Sequence, residues 1–294
     1  MAADLRISDE RRPDTAEPRP IWLCADDYGI SSSVNTAIRD LIMRGRLNAT
    51  SVMVSAPSFD GSEAAALDVL ADGSRRVSIG LHLTLVTPFQ PMSLEFQPLR
   101  NGAFLPLEQM LLRGSLRLLR RQALADEIAA QLAAFIVAFG RPPDFIDGHQ
   151  HVHLFPQVRD AVLETAKTLA PEAWLRQCGR AVPLTQRLAD RKALVLDALS
   201  RTFRRRAAQF GVATNPAFAG TYDFGASADP DYAALFNVFL DGLPANSVVM
   251  CHPGVVDAEL ARLDPLTALR EREYAFLADD AFPALLAAHG VTLA

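Results

Sequence analysis

The sequence predicts an α/β fold built on a parallel sheet, and two observations carry that prediction. Short apolar runs rich in β-forming residues alternate with longer segments of helical periodicity, which is the pattern of βαβ units. Residues suited to chemistry follow the ends of several of those runs. Active sites of α/β proteins form at this edge, because the loops converge there while the strands hold them in place.

The alternation gives the positions of the main elements. The β-forming runs place strands at 21–25, 50–55, 77–85, 144–147, 173–176, 247–251 and 291–293. Helical periodicity places helices at 33–44, 124–139, 157–169, 230–240 and 270–288. Gly45 and Gly140 stand directly after two of these helices, where a residue that tolerates positive φ ends a helix.

The length and composition are those of a chain with one large core. It has 294 residues, 50% of them hydrophobic, and a net charge of −5. We expect residues 21–294 to form a single domain and the charged, proline-containing segment 1–20 to be a loose tail. The acidic balance gives no basic footprint, so no nucleic-acid partner is expected.

Cysteine usage and the absence of long apolar runs predict a cytoplasmic protein. Cys24, Cys178 and Cys251 are widely spaced and form no CxxC pair, which argues against a disulfide framework and a thiolate zinc site. Segment 1–20 lacks the apolar core of a signal peptide. No apolar run reaches the roughly 18 residues of a membrane span.

Side chains of the metal-ligand type lie at or near the carboxyl ends of four predicted strands. They are Asp26 and Asp27, then His82, then the run Asp147, His149, His151 and His153, and finally His252. Because the carboxyl ends of parallel strands meet at one edge, we expect several of these side chains to share a site. The remaining histidine, His289, lies near the end of a predicted helix and is interpreted as structural.

The histidine run cannot supply all of its side chains to one ion. In an extended strand, Asp147 and the three histidines that follow it would face one side, but about 3.3 Å per residue puts the two ends roughly 20 Å apart. Metal bonds of about 2 Å do not span that distance. We therefore choose His149, nearest the strand end, as the ligand, and assign the others to orienting it or to touching substrate.

The pair Asp26 and Asp27 precedes Tyr28 and Gly29, where a turn would let both carboxylates reach one cavity. One carboxylate can coordinate a cation while the other accepts a proton from water that the cation has made more acidic. The alternative is an aspartate that caps the helix beginning near Ser33. One carboxylate and two histidines are a donor set for a catalytic divalent metal, either zinc or magnesium.

Four short motifs together give a family resemblance. In order and spacing, ADDYG at 25–29, GLHL at 80–83, DGHQHVH at 147–153 and CHPG at 251–254 resemble the YdjC-like carbohydrate deacetylases. The resemblance covers about residues 21–294. It implies a TIM-like β/α barrel, distorted or incomplete, and metal-dependent removal of an N-acetyl group from an amino sugar of an oligosaccharide or glycolipid.

Carried over by position, the resemblance implies roles for individual residues. It makes metal ligands of Asp27, His82 and His149, a catalytic base of Asp26 and a catalytic acid of His252. The residues left beside the ligands or against the substrate are Tyr28, Asp147, His151 and His153.

Two alternatives to a deacetylase stay open. One is another metal-dependent barrel hydrolase, an amidohydrolase or a phosphoesterase, which usually needs a second metal cluster or a bridging lysine. Neither Lys167 nor Lys192 follows a predicted strand. The other alternative is a non-catalytic sugar-binding homologue, which would keep the cleft without turnover.

Arginine supplies almost all of the positive charge, since only two residues are lysines, and single arginines are therefore given no role. Two arginine-rich stretches without acids, 111–121 and 198–210, are interpreted either as solvated helix faces or as a weak contact with a membrane surface. Segment 182–229 carries no recognised motif, although Tyr222, Asp223 and Phe224 suit a substrate loop. The oligomeric state stays open, with a homodimer as one option.

Overall fold

A parallel sheet forms the centre of the molecule in a computed structural model that describes residues 17–71, 77–180, 191–225 and 229–293. All of its strand pairings are parallel. The strands are β1 (Arg19–Tyr28), β2 (Ala49–Val52), β3 (Ser78–Leu83), β4 (Phe145–Gly148), β5 (Trp174–Leu175), β6 (Phe218–Ala219), β7 (Val248–Cys251) and β8 (Val291–Leu293).

Helices fill most of the connections between strands. They are α1 (Ser32–Met43), α2 (Gly61–Ala71), α3 (Leu107–Ser115), α4 (Arg121–Phe139), α5 (Val158–Leu169), α6 (Arg191–Phe210), α7 (Tyr232–Leu240), α8 (Ala258–Leu263), α9 (Ala268–Ala278) and α10 (Ala281–Ala288). A 3-10 segment at His149–Leu154 follows β4 directly and is called the histidine turn below.

The sheet curls without forming a regular eight-stranded barrel. Its strand order is β5-β4-β3-β2-β1-β7-β6, and β8 pairs with β1. β1 pairs with β8 through residues 19–21 and with β7 through residues 22–25. Two strands thus pair with successive parts of β1. Isolated bridges join Leu175 of β5 to Thr214, and Arg180 to Phe218 of β6. The predicted α/β class is confirmed, and the curled sheet is consistent with a distorted barrel rather than a complete TIM barrel.

The central strands are buried along their whole length because helices cover the sheet. Every residue of β2, β3, β4 and β7 is buried. α1 contributes Val34, Ile38 and Leu41 to the same core. Polar residues near the carboxyl ends of the strands, such as Asp26, Asp27 and Asp147, are buried as well.

The predicted elements differ from the observed ones at their ends and in one helix. β2 ends at Val52 and β3 at Leu83, so the predicted strands 50–55 and 77–85 are too long. The predicted helix 270–288 is wrong, since α9 ends at Ala278 and α10 begins at Ala281. Pro283 explains the break, because proline lacks the N–H of a helix interior but is tolerated in a first turn. Two observed helices, α2 and α8, were not predicted, whereas α3 and α6 overlap the arginine-rich stretches 111–121 and 198–210, for which helix faces were one interpretation.

The amino-terminal segment begins to be described at residue 17, and β1 starts at Arg19. Arg19 and Pro20, at the end of the predicted tail 1–20, thus belong to the sheet. Residues 1–16 of that tail lie outside the described residues.

α4 is long and apolar enough, by length and composition, to cross a membrane. It nevertheless packs against α2, α5 and β3. Its Gln131 is buried and donates to the carbonyl of Thr84 at 2.8 Å, and its Glu127 accepts from the N–H of Ser93 at 2.7 Å. These contacts are those of a core helix that fastens the loop after β3.

Candidate active site

β1 ends in a bulge that brings two consecutive carboxylates to the sheet edge. The register against β2 shifts between Ala25 and Tyr28, and Asp27 has a φ of 69°. In a regular strand Asp26 and Asp27 would point to opposite faces, and the bulge removes that constraint. Both are almost fully buried. Neither caps α1, since the side chain of Ser31 does so, and the capping alternative is therefore wrong.

Three predicted metal ligands converge at this edge and are called the Asp27 triad. Oδ1 of Asp27 lies 3.2 Å from Nε2 of His82 and 2.8 Å from Nδ1 of His149. One donor atom from each residue lies within 4.8 Å of the others. A buried carboxylate with two imidazoles is a donor set for one divalent cation that leaves positions for water and substrate, so these residues fit the metal that the sequence predicts.

Neighbouring strands explain why the triad forms. β3 and β4 lie side by side with His82 opposite Asp147, and His149 comes directly after β4. Nδ1 of His82 lies 2.6 Å from Oδ1 of Asp147 and 2.9 Å from Oγ of Ser51. Burial opposes protonation of His82, but Asp147 and the other carboxylates outweigh it and raise its pKa to about 10. Asp147 thus orients His82 toward Asp27, as outer carboxylates orient ligand histidines.

The chain turns after Gly148, so the extended geometry predicted for the histidine run is wrong. Gln150 and His151 have φ values of 51° and 59°. This folds the run into the histidine turn and separates its side chains. Only His149 of the three histidines joins the Asp27 triad.

His151 and His153 contact residues that follow β5 instead of joining the triad. Nε2 of His153 donates to the carbonyl of Arg176 at 2.8 Å, and Nδ1 of His151 lies 3.5 Å from Sγ of Cys178. Burial lowers the pKa of each histidine to about 3. Both imidazoles are therefore neutral near pH 7, and the His153 contact ties the turn to the end of β5.

Arg176 was not predicted as a site residue. Its Nη1 lies 2.7 Å from Oδ2 of Asp26 and its Nη2 lies 2.8 Å from Oδ1 of Asp26. The same Nη2 is 2.5 Å from Oδ2 of Asp147. Burial favours the neutral acid, but Arg176 outweighs it and holds the pKa of Asp26 well below its usual range. A signal was present in the sequence, because Arg176 ends the predicted strand 173–176 at the same edge.

Arg270 is the second unpredicted arginine, and it comes from α9. Its Nη2 lies 2.5 Å from Oδ2 of Asp27 and 2.7 Å from Oδ2 of Asp264. The guanidinium is fully buried. It balances the charge of Asp27 on the side away from the histidines. No sequence pattern marks it, since a helix residue between strands has no fixed relation to the sheet edge.

β7 places His252 at the other side of the site. Its N–H donates to Oε2 of Glu273 at 2.6 Å, and its ring meets that of Phe224 edge-on at 5.6 Å. Its Nδ1 is buried and has no hydrogen-bond partner among the described residues. Burial lowers the pKa of His252. Tyr222 packs on Phe224 with 4.3 Å between ring centroids, so two residues of the predicted substrate loop lie beside this histidine.

Tyr28 is not brought to the triad. Its hydroxyl donates to Oε2 of Glu63 at 2.6 Å and accepts from Nη1 of Arg39 at 2.8 Å. These partners belong to α2 and α1. The residue therefore fastens two helices to β1.

Known proteins resemble this chain over most of its length. The model of the YdjC-like protein family matches residues 20–288. A carbohydrate deacetylase of Geobacillus stearothermophilus is 28% identical over 276 residues, which cover 94% of this chain and 96% of that protein. A chitooligosaccharide deacetylase of Serratia marcescens is 29% identical and covers 83% of this chain and 89% of its own length.

A solved structure shares the fold along almost the whole chain. It is a protein of Enterococcus faecalis V583 assigned to cellobiose-phosphate cleavage, with a TM-score of 0.72, 20% identity, and coverage of 95% of this chain and 97% of that one. The family match includes all four motifs found in the sequence. The resemblance inferred from those motifs is confirmed, and the chain belongs to the YdjC-like protein family.

Proposed function

We propose that this chain is a metal-dependent deacetylase that hydrolyses the N-acetyl group of an amino sugar, in an oligosaccharide or a glycolipid. The observation that carries the proposal is the Asp27 triad beside an ionised Asp26 at one buried edge. Relatives named carbohydrate deacetylase and chitooligosaccharide deacetylase support the substrate class.

Asp27, His82 and His149 would hold the metal. Their donor set suits zinc, and it suits magnesium when waters complete the coordination. A divalent cation bound there supplies polarisation of the acetyl carbonyl and acidification of water. Arg270 stays paired with Asp264 as well as with Asp27, so it limits the negative charge of the ligand carboxylate.

Asp26 would act as the general base. A base must be ionised, and Arg176 keeps Asp26 ionised by binding its two oxygens, each of which retains a lone pair that can accept a proton. When Asp26 takes the proton, its attraction to Arg176 weakens. The guanidinium then keeps a charged partner, because it also contacts Asp147.

The reaction needs one bond formed, one bond broken and one proton moved to nitrogen. The water oxygen attacks the acetyl carbonyl carbon while Asp26 accepts the water proton. The C–N bond then breaks, and protonated His252 donates a proton to the departing nitrogen, which gives acetic acid and a free amine. Return of the proton from Asp26 to His252 restores both groups. His252 suits this role because its buried Nδ1 has no partner among the described residues.

Aromatic side chains beside His252 would pack on the sugar. Phe224 is 36% exposed and contacts both His252 and Tyr222. Aromatic faces bind the apolar faces of sugar rings while leaving the hydroxyls to polar groups. This placement would hold the sugar with its acetamido nitrogen near His252.

The test is acetate release from N-acetylated sugars by metal-stripped protein that is reconstituted with zinc, magnesium, cobalt or manganese. The substrates run from the monosaccharide through chitobiose and longer oligomers to a glycolipid. The control is Asp26→Asn, which keeps the triad. We expect metal-dependent release by the wild type, and a loss of roughly 10²- to 10⁴-fold in the variant with its metal content unchanged.

Three outcomes would contradict the proposal. Equal release by Asp26→Asn would remove its base. Hydrolysis of a phosphate ester without acetate release would point to a phosphoesterase. Sugar binding without turnover, with metal bound, would point to a non-catalytic homologue.

A further inference from the structure

Three helices surround the histidine turn and share one end of the molecule with it. α3, α5 and α6 each pack against the turn that carries His149. The approach of α3 is close, because a Cβ added to Gly114 would stand 2.4 Å from the carbonyl oxygen of Pro156. These helices are therefore joined to the triad through the turn that carries His149.

Ion pairs across α5 show that arginines from separate helices share one surface. Arg121 at the start of α4 lies 2.5 Å from Glu164, and Arg206 of α6 lies 2.9 Å from Asp160. Asp160 and Glu164 are one helical turn apart and lie on the same side of α5. Arg159 is also 3.9 Å from Asp160. The two arginine-rich stretches of the sequence thus meet over α5.

Positive charge exceeds negative charge on this surface. Burial and the nearby charges of Arg206, Arg117 and Arg205 lower the pKa of Arg159. Five arginines make up this surface, which is called the basic face below: Arg117, Arg121, Arg159, Arg205 and Arg206. The acids paired with them among the described residues are Asp160 and Glu164. The whole chain carries a net charge of −5, so the positive potential is local and attracts an anionic partner.

Leucines stand exposed beside the basic face. Leu112, Leu116 and Leu118 are 58%, 59% and 58% exposed. Leu112 and Leu116 are one turn apart at the end of α3, and Leu116 and Leu118 flank Arg117 of the basic face. Apolar side chains interspersed with arginines are typical of segments that lie in the headgroup region of a bilayer. A purely solvated helix face would carry polar residues at these positions.

We propose that the basic face and these three leucines dock the protein on an anionic lipid surface, with the histidine turn held at that surface. A soluble polyanion would be attracted by the arginines but would gain nothing from the leucines, and for this reason the lipid is the favoured partner. The proposal does not depend on the deacetylase reaction.

The test is co-sedimentation of the full chain with vesicles of phosphatidylcholine, alone or mixed with phosphatidylglycerol, at low and high salt. We expect binding to the anionic vesicles only, weakened by salt. The triple variant Arg117→Gln, Arg205→Gln and Arg206→Gln should lower the partition coefficient on the order of 100-fold, at roughly five-fold per arginine. The triple variant Leu112→Ser, Leu116→Ser and Leu118→Ser should lower it roughly ten-fold or more.

Two matched controls remove the same charge and the same apolar surface elsewhere. The arginine control is the triple variant Arg44→Gln, Arg262→Gln and Arg272→Gln, and all three positions are exposed. The apolar control is the triple variant Val69→Ser, Val137→Ser and Val238→Ser, also at exposed positions. Both should bind like the wild type. Circular dichroism checks the folding of every variant, and acetate release from a soluble substrate separates docking from catalysis, because the variants should leave it unchanged.

Docking is overturned if the wild type does not bind anionic vesicles at low salt, or if the arginine control loses binding as fully as the basic-face variant. It is also overturned if the leucine variant binds vesicles as the wild type does. In that case, retention on heparin that only the basic-face variant loses would assign the face to a soluble polyanion.

Discussion

The two sides of the site are held in different ways. On the Asp27 side, each oxygen of Asp26 and Asp27 has a partner among His82, His149, Arg176 and Arg270. On the other side, Nδ1 of His252 has no partner among the described residues. The difference indicates that the proposed metal ligands and the proposed base are positioned before substrate arrives. The acid side has a ring nitrogen left for a group that comes with the substrate.

Loss of a triad ligand should have the largest effect if the Asp27 side is the pre-organised one. We expect His149→Ala to lose its divalent metal and to lower kcat/KM by more than the roughly 10²- to 10⁴-fold that loss of a general base costs. Metal content by atomic emission and acetate release measure the two effects. His289→Ala is the matched control, since His289 is half-buried and bonds Asn237 of α7. A His149→Ala protein with full metal content would remove His149 from the ligands.

Removal of Arg176 tests how far that pre-organisation depends on ion pairs. Arg176→Met leaves Asp26 and Asp147 buried without their cation, and we expect it to cost about 3–5 kcal/mol in the free energy of unfolding. Urea denaturation measures the loss, and Arg262→Met at an exposed position should change it by less than about 0.5 kcal/mol. Arg176→Lys keeps the positive charge but lacks the two-pronged guanidinium that binds both oxygens of Asp26. Its free energy of unfolding should lie between those of Arg176→Met and Arg262→Met. Equal stability of all three would show that the carboxylates need no cation.

A substitution at His252 tests whether this residue donates the proton to the leaving nitrogen. We expect His252→Ala to keep its metal and to lower turnover roughly 10²-fold on an N-acetyl sugar. The loss should shrink across acetyl substrates with progressively better leaving groups, because these need less proton donation. Burial lowers the pKa of His252, so wild-type turnover should fall as pH rises above that pKa, and the variant should lack this decline. A loss of the same size across the substrate series would make His252 structural.

The smallest effect is expected at Glu273, which supports His252 through its backbone. Burial raises the pKa of Glu273 from 4.5 to about 8, so the folded chain binds this proton more tightly than the unfolded chain. That stabilisation is complete below about pH 4.5 and is lost as the pH rises through about 8. Across this window the Tm of the wild type should fall relative to that of Glu273→Gln, which keeps an oxygen for the N–H of His252. Parallel Tm curves would contradict the raised pKa.

The triad could be predicted from sequence because strands fix its geometry. Asp27, His82 and His149 follow apolar strands that are neighbours or near neighbours in the sheet, so their positions in the sequence already imply a shared edge. The partners that set their charge could not be predicted in the same way. Arg176 lay at a strand end but was one arginine among many, and Arg270 reaches Asp27 from a helix.

The histidine turn shows a second kind of failure. Alternation of Asp147, His149, His151 and His153 is the pattern of a strand. The chain instead bends at Gln150 and His151, two residues with left-handed φ values and without the glycine that usually marks such a bend. Tertiary contacts, such as the bond from His153 to the carbonyl of Arg176, stabilise a conformation that local sequence does not favour.

The bulge in β1 limits which amino acids position 27 accepts. Asp27 has a φ of 69°, a conformation that aspartate, asparagine and glycine adopt more readily than other residues. Glutamate carries the same charge, but its longer side chain lacks this backbone preference and would displace the carboxylate from His82 and His149. The requirement for aspartate is therefore conformational as well as chemical. The backbone therefore restricts substitution at position 27 more than at His82 or His149, neither of which has a positive φ.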